Sequence, residues 1–358
     1  MSSIPHLSAT PHLHWGAEAL WQQLEPLLPG LSVEVVARVA STNTELLYRA
    51  RRLNLPRGEA HSRLGELDSV AGIERRPGRR HADTQPCLLV AEHQTRGRGR
   101  QGKGWLSSAG ASLTFSLALP LAPADWSGLS LAVGLALADA LDPPQPGQPP
   151  RLGIKWPNDL LLLDRGAVGV GSTSAPTTAD AIGRKVGGIL IETVQVGERR
   201  MAVVGVGLNL LPQPLPAHDT DTDTDTDTDT DTDTDTEALD TAPPATSLSW
   251  GYACLQELQY GLTAPAALAR VAPALVRALL AFERAGFAPL RARFAARDVL
   301  LGRRVTTTLP TLPVGVADGV DDSGTLWLRV GDQRLPVASG EVSLRADTGS
   351  SAPTAPAC

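Results

Sequence analysis

The chain has 358 residues and is poor in cysteine, lysine and aromatic side chains. Its three cysteines, Cys87, Cys254 and Cys358, are far apart and odd in number. That spacing excludes a disulfide framework and any C-x-x-C metal pair, and it fits a reducing, cytoplasmic setting. No two of the seven histidines stand at H-x-x-x-H spacing, so no residue is put forward as a metal ligand. No uninterrupted apolar run reaches membrane-spanning length, and the first twenty residues lack the basic start and apolar core of a signal peptide. A membrane partner is therefore not expected. Lysine occurs only at Lys103, Lys155 and Lys185, against 29 arginines. Where arginine is the default cation, a remaining lysine suggests a place that needs a compact ammonium.

What is present divides sharply. Residues 219–236 are nine Asp-Thr pairs. Setting those nine carboxylates aside turns the formal charge of −6 into +3, so the rest of the chain is mildly basic. The tract has nothing apolar to bury and repels itself, which predicts a disordered and dispensable surface loop. At 42% hydrophobic the remainder can build a sizeable core.

Periodicity predicts a helix over 15–28, a strand over 33–39 and a helix over 44–53 opened by a Thr42/Glu45 capping box. Strands follow at 87–92 and 111–119, a helix at 124–141, and strands at "LGIKW" and "LLLL". A hairpin over 185–194 and 201–208 turns at Val196-Gly197. Residues 54–85, 164–184 and 212–246 read as flexible insertions. Helices between 249 and 297 are expected to break at Pro265, Pro273 and Pro289. From Gly302 the period shortens to small strands, predicting an all-β barrel. The resulting division is a catalytic unit over 1–298, a barrel over 299–346 and a disordered tail over 347–358.

The stretch "EHQTRGRGRQGKGWLSSAG" from Glu92 is the most unusual. It matches both G-x-G-x-x-G and G-x-x-x-x-G-K. A dinucleotide loop needs a helix after it, but here a β segment follows; a Walker loop needs Ser or Thr after its lysine, but Gly104 follows Lys103. A solvated basic hairpin and an Arg/Gly nucleic-acid binder remain open. The best physical reading is a loop that folds over a small anion, with glycines admitting close backbone approach and arginines offering bidentate contacts. Ser41–Thr42–Asn43 reads as a helix cap or as a polar ligand contact. "KWPND" (155–159) is rich for a plain turn, and "GVGLN" (205–209) places Asn209 where an amide could read an adenine edge.

In order, "STNTEL", "AEHQTRGRGRQGKGW", "IKWPNDLLL", "KVGGILIE" and "VGVGLNL" resemble the catalytic domain of the biotin–protein ligases, and the late "SGEVSLR" resembles the end of that family's C-terminal domain. The resemblance implies an α+β fold: a mixed sheet with helices largely on one face, like class II aminoacyl-tRNA synthetases, followed by an SH3-like barrel. It implies activation of biotin by ATP with Mg2+ to biotinyl-5'-AMP, then transfer to a lysine of a biotin carboxyl carrier protein. By the same resemblance Ser41, Thr42, Asn43 and Gln94 match biotin-holding positions. Arg98, Gly99 and Arg100 match the closing loop, and Lys185 matches the cation at the reacting groups. Arg98, Arg100 and Lys185 are the catalytic candidates. Trp105, Asn158, Asp159, Asn209 and Arg345 fall on the nucleotide side. Only forty residues precede Ser41, so a DNA-binding module, and with it a DNA partner, is not expected; the ligase is expected to be a monomer or homodimer. A lipoate–protein ligase or octanoyltransferase of the same fold is the alternative reading.

Overall fold

The computed structural model describes residues 13–52, 84–163, 183–213, 251–307, 309, 312, 314–337 and 345–346. The Asp-Thr tract, most of the three insertions and the carboxy-terminal tail lie outside these residues.

Seven strands make the main sheet: β1 (Ser32–Val39), β2 (Cys87–Gln94), β5 (Ser112–Pro120), β6 (Leu152–Lys155), β7 (Asp159–Leu162), β8 (Arg184–Val196) and β9 (Arg199–Asn209). Their spatial order is β1-β2-β5-β9-β8-β7-β6. Only β1 and β2 run parallel, and helix α2 (Thr42–Arg51) lies in the crossover between them; every other neighbouring pair is antiparallel. β3 (Gly97–Arg98) and β4 (Gly104–Trp105) form a separate small hairpin.

The period of two gives the sheet unlike faces. On β5, Leu113, Phe115, Leu117 and Leu119 alternate with Ser112, Thr114 and Ser116. On β9, Gly205, Gly207 and Asn209 stand opposite those three hydroxyl residues. The apolar face is covered by α1 (Ala17–Leu24), α3 (Leu129–Leu141) and α5 (Ala264–Ala285), which share the main core. Among the described helices, α2 alone packs on the polar face, through a smaller cluster that includes Leu46, Leu47, Leu89, Ala118 and Val203. Beyond the end of α2, among the described residues, that face borders a cavity.

The predicted break at Pro273 does not occur. α5 is one helix of 22 residues, with Pro265 in its first turn, where no donor is lost, and Pro273 inside it. An interior proline costs about 3 kcal/mol. Val271, Leu275, Val276, Leu279 and Phe282 are all buried on the same stripe, and each fully buried side chain of this kind contributes roughly 1.5–3 kcal/mol. α5 is also long and apolar enough to cross a membrane, yet half of its most apolar window is buried within this fold. The amino-terminal helix is shorter than expected, and the cap of α2 is Ser41, not Thr42: Ser41 Oγ accepts from Thr44 N at 3.4 Å.

The short helices α4 (Leu255–Leu258) and α6 (Arg291–Ala295) flank α5 in sequence. Five strands then form the antiparallel carboxy-terminal sheet: β10 (Arg304–Thr306), β11 (Val314–Val320), β12 (Leu326–Val330), β13 (Gln333–Val337) and β14 (Arg345–Ala346), in the order β13-β12-β11-β10-β14. Its turn at Gly324 packs against Gly128 at the start of α3, and Trp156 Nε1 donates to Gly324 O at 3.1 Å.

Candidate active site

The open part of the polar face is a cavity of about 200 Å³. Twelve of the sequence-predicted site residues line it: Ser41, Thr42, Asn43, Gln94, Arg98, Gly99, Arg100, Trp105, Asn158, Asp159, Lys185 and Asn209. They come from five separate segments that the sheet order brings side by side. Arg345 is placed by its backbone, on β14 opposite Thr306, and its side chain lies outside the described set.

One end of the cavity is built by the start of α2. Thr42 N donates to Gln94 Oε1 at 2.8 Å, and Thr42 Oγ1 lies 3.1 Å from the same oxygen. The Gln94 carbonyl oxygen is thus held, which leaves its NH2 group for the cavity. Ser116 Oγ sits 2.6 Å from both Thr42 Oγ1 and Asn43 Oδ1. Asn43 is almost wholly buried and donates to Leu190 O and Glu192 Oε2. Gly205 makes room for it: a Cβ there would lie within 3.1 Å of three atoms of the Asn43 carboxamide. Asn43 therefore spends its amide on the protein and acts as a strut beneath the ligand positions.

The basic loop is an ordered hairpin. Gly99 N donates to Lys103 O at 2.6 Å, and the tip turns through Gln101, the one described non-glycine residue with positive φ (54°). The hairpin brings Trp105 across the sheet onto Gly207, where a Cβ would be within 2.9 Å of three indole atoms. The buried Trp105 Nε1 has no hydrogen-bond partner, a donor available to a ligand. Arg98 pairs with Glu192 at 3.6 Å, and Arg100 Nη1 donates to Asn158 Oδ1 at 3.4 Å. Burial lowers the Arg100 pKa from its ordinary value, and the Asp159 carboxylate acts in the opposite direction.

At the other end Lys185 Nζ lies 2.8 Å from Asp159 Oδ1, with both side chains partly exposed to the cavity. A β-bulge decides this. Asp159 pairs with Gly188 and Leu160 with Gly187, but Leu161 pairs with Lys185, so Val186 is the extra residue. In an unbulged ladder Leu161 would face Val186, and Lys185 would point away from Asp159. The Lys185 backbone is held on its other side: Lys185 N donates to Gly251 O, and Ala253 N donates to Lys185 O. Asn209 Nδ2 joins these strands by donating to Lys185 O and Ala253 O at 3.3 and 3.1 Å. Its amide nitrogen is thereby committed, and its carbonyl oxygen is the atom left for a ligand in the cavity.

Sequence reasoning missed several contributors. Ser116, Gln213 and Tyr252 lie in none of the quoted motifs, and Gly188 and Glu192 lie in "KVGGILIE" but were given no role there; strand alternation alone could have placed Ser116 and Gly188 on the polar face. Burial raises the Tyr252 phenol to about 12, so it stays neutral and donates to Leu211 O at 2.6 Å. Among the described residues no cluster of three or more His, Cys, Asp or Glu could hold a metal, and Asp159 is the only carboxylate lining the cavity. The set suits a site that binds anions through cations, amides and an indole, beside a sheet floor cleared by glycine.

Comparison with known proteins agrees with this geometry. Residues 80–209 match the biotin/lipoate A/B protein ligase family, and residues 300–345 match the biotin protein ligase C terminal domain. The chain is 32% identical to a biotin–[acetyl-CoA-carboxylase] ligase of Mycobacterium tuberculosis, over 91% of each chain. It is 28% identical to the bifunctional ligase/repressor BirA of Escherichia coli, over 90% of this chain and 77% of that one. In fold it is similar to a biotin protein ligase from Aquifex aeolicus solved with biotin and ATP, with a TM-score of 0.53 at 20% identity, covering 88% of this chain and 99% of that one. With a catalytic-domain match, a carboxy-terminal-domain match and a near full-length relative in agreement, the chain belongs to the biotin–protein ligase family.

Proposed function

We propose that this chain condenses biotin with ATP to biotinyl-5'-AMP and pyrophosphate, then transfers the biotinyl group to a lysine amine of a biotin carboxyl carrier domain, releasing AMP. The observation that carries the reading is the convergence of five separated segments on one cavity, with Lys185 turned into it by the bulge at Val186.

The residues divide the work. The Gln94 amide, with Ser41 and Thr42 at the α2 cap, suits the neutral polar ring of biotin. Biotin's carboxylate must approach the α-phosphorus of ATP, so two anions have to be brought together. Arg98, Arg100 and Lys185 offset that repulsion and hold the charge that builds on the phosphoryl oxygens. Asp159 keeps the Lys185 ammonium aimed into the cavity until the substrates take over its contacts. Trp105, Asn158 and the Asn209 carbonyl border the nucleotide. Magnesium enters as part of the ATP substrate, since a lone carboxylate suits a metal carried mainly by phosphates. There it helps neutralise phosphate charge. The mixed anhydride is sensitive to water, and the hairpin with Trp105 shields it until the acceptor amine arrives.

The test is to incubate the purified chain with biotin and magnesium-ATP and weigh the bound product, then add a carrier domain. A retained mass of biotinyl-adenylate and a biotinylated carrier are expected. Pyrophosphate release with lipoate and none with biotin would refute the assignment.

A further inference from the structure

Glu192 has no part in the reaction as described, yet its two oxygens face in different directions. Glu192 Oε2 accepts from Asn43 Nδ2 at 2.9 Å. Glu192 Oε1 lies 3.6 Å from Arg98 Nη1. The first contact is rigid: Asn43 is 2% exposed, fixed also by Leu190 O and Ser116, and seated on Gly205. The second is loose: it is beyond hydrogen-bond length, and the Arg98 side chain is half exposed. One carboxylate thus ties a buried strut under the α2 cap to a loop cation that must be free to meet an incoming anion.

We propose that Glu192 is a positioning residue that parks Arg98 over the empty cavity and gives it up to the substrate carboxylate, while its other oxygen keeps Asn43 in place. This rests on the proposed reaction for the identity of that substrate, biotin. A like-charged group already paired with Arg98 competes with the ligand for the same guanidinium. Exposed ion pairs are worth at most about 1 kcal/mol, so the competition is worth about fivefold or less in affinity. The Asn43 contact acts oppositely. A buried amide that loses its acceptor is left with an unsatisfied donor, and the α2 cap shifts to relieve it.

The experiment is calorimetric titration of biotin into the full chain, with melting temperatures as a folding check. Glu192→Gln keeps an acceptor for Asn43 and removes the charge facing Arg98; biotin Kd should fall about two- to fivefold. Glu192→Ala removes both contacts; biotin Kd should rise about tenfold. In an Arg98→Gln background the gain from Glu192→Gln should disappear, because its source is the released guanidinium. The proposal is overturned if Glu192→Gln weakens biotin or leaves it unchanged. It is equally overturned if the gain persists in full without Arg98, since that would be plain repulsion of the ligand. A wild-type chain that binds no biotin overturns the reaction and this proposal together; a wild-type chain that binds it while the variants miss these shifts overturns the proposal alone.

Discussion

Two glycines that face each other across β8 and β9 should respond unequally to a methyl group. Gly188 and Gly207 are paired residues on the cavity face. At Gly207 a Cβ would meet Trp105 Cε2, Cζ2 and Nε1, all within 2.9 Å, closer than real carbon contacts allow. The indole cannot slide aside easily, because β4 ties the Trp105 backbone to Gly97 and an added Cβ at Gly97 would itself strike Trp105 O. At Gly188 the nearest atoms to an added Cβ are 3.6–3.7 Å away, ordinary contact distances. Neither glycine has a positive φ, so strain in the backbone does not enter. Overpacking of this kind costs about 1–3 kcal/mol, and each kcal/mol shifts the melting temperature by roughly 2–4 °C in a domain of this size. Gly207→Ala should therefore lower the melting temperature by several degrees, raise the KM for ATP and free the hairpin for tryptic cleavage at Arg98, Arg100 and Lys103. Gly188→Ala should leave the melting temperature and the tryptic pattern near wild type. Equal melting temperatures and equal loop cleavage for the two variants would refute the placement of Trp105 on Gly207.

Further outcomes follow from the same geometry. Lys185→Ala should lose at least about a hundredfold in the rate of biotin-dependent pyrophosphate release while still binding biotin; Lys185→Arg should also fail largely, since a planar fork does not fit the point-charge position beside Asp159, and an Arg variant within about threefold of wild type would sink that role. Burial raises the Cys87 thiol to about 12, with Glu34 adding to the shift, and burial raises Cys254 as well. Neither should be labelled by a maleimide at pH 8 in the folded chain, and peptide mapping of labelled native protein reads this directly. Asp298 is half-buried with one carboxylate oxygen buried and unpartnered, and desolvation raises its pKa to about 6. A carboxyl raised in the folded state favours folding when protonated, so this contribution is present below about pH 4 and is lost as pH rises through about 6. Asp298→Asn should accordingly raise the melting temperature at pH 8 and change it far less at pH 4; an equal change at both would refute the buried-charge account.

The sequence made the floor and the rim of the site legible to different degrees. Alternation within "ASLTFSLAL" and "GVGLN" is a local property, and the register of β5 against β9 turns it into one face of hydroxyls and glycines. The failure of the Gly97–Lys103 stretch as a dinucleotide or Walker loop was likewise legible, because a β segment rather than a helix follows it. Long-range partners were not legible: Glu192 reaches Asn43 from 149 positions away, and only the strand order brings them together. Pro273 was misjudged for the same reason, since a local helix breaker is overruled by a buried stripe whose partners lie elsewhere in the chain. Lys185 shows the limit most clearly. Its scarcity as a lysine singled it out, but its direction depends on one extra residue in a ladder. No periodicity in "RKVGGILIE" announces a bulge. It shows only in the pairing with "DLLL", whose Leu160 and Leu161 are both buried while Asp159 lines the cavity. The candidate catalytic cation is thus aimed by one extra residue in the ladder, and deleting Val186 should leave Lys185 opposite Leu161 on the Asp159 face, with biotin-dependent pyrophosphate release retained; loss of that release would refute the bulge account.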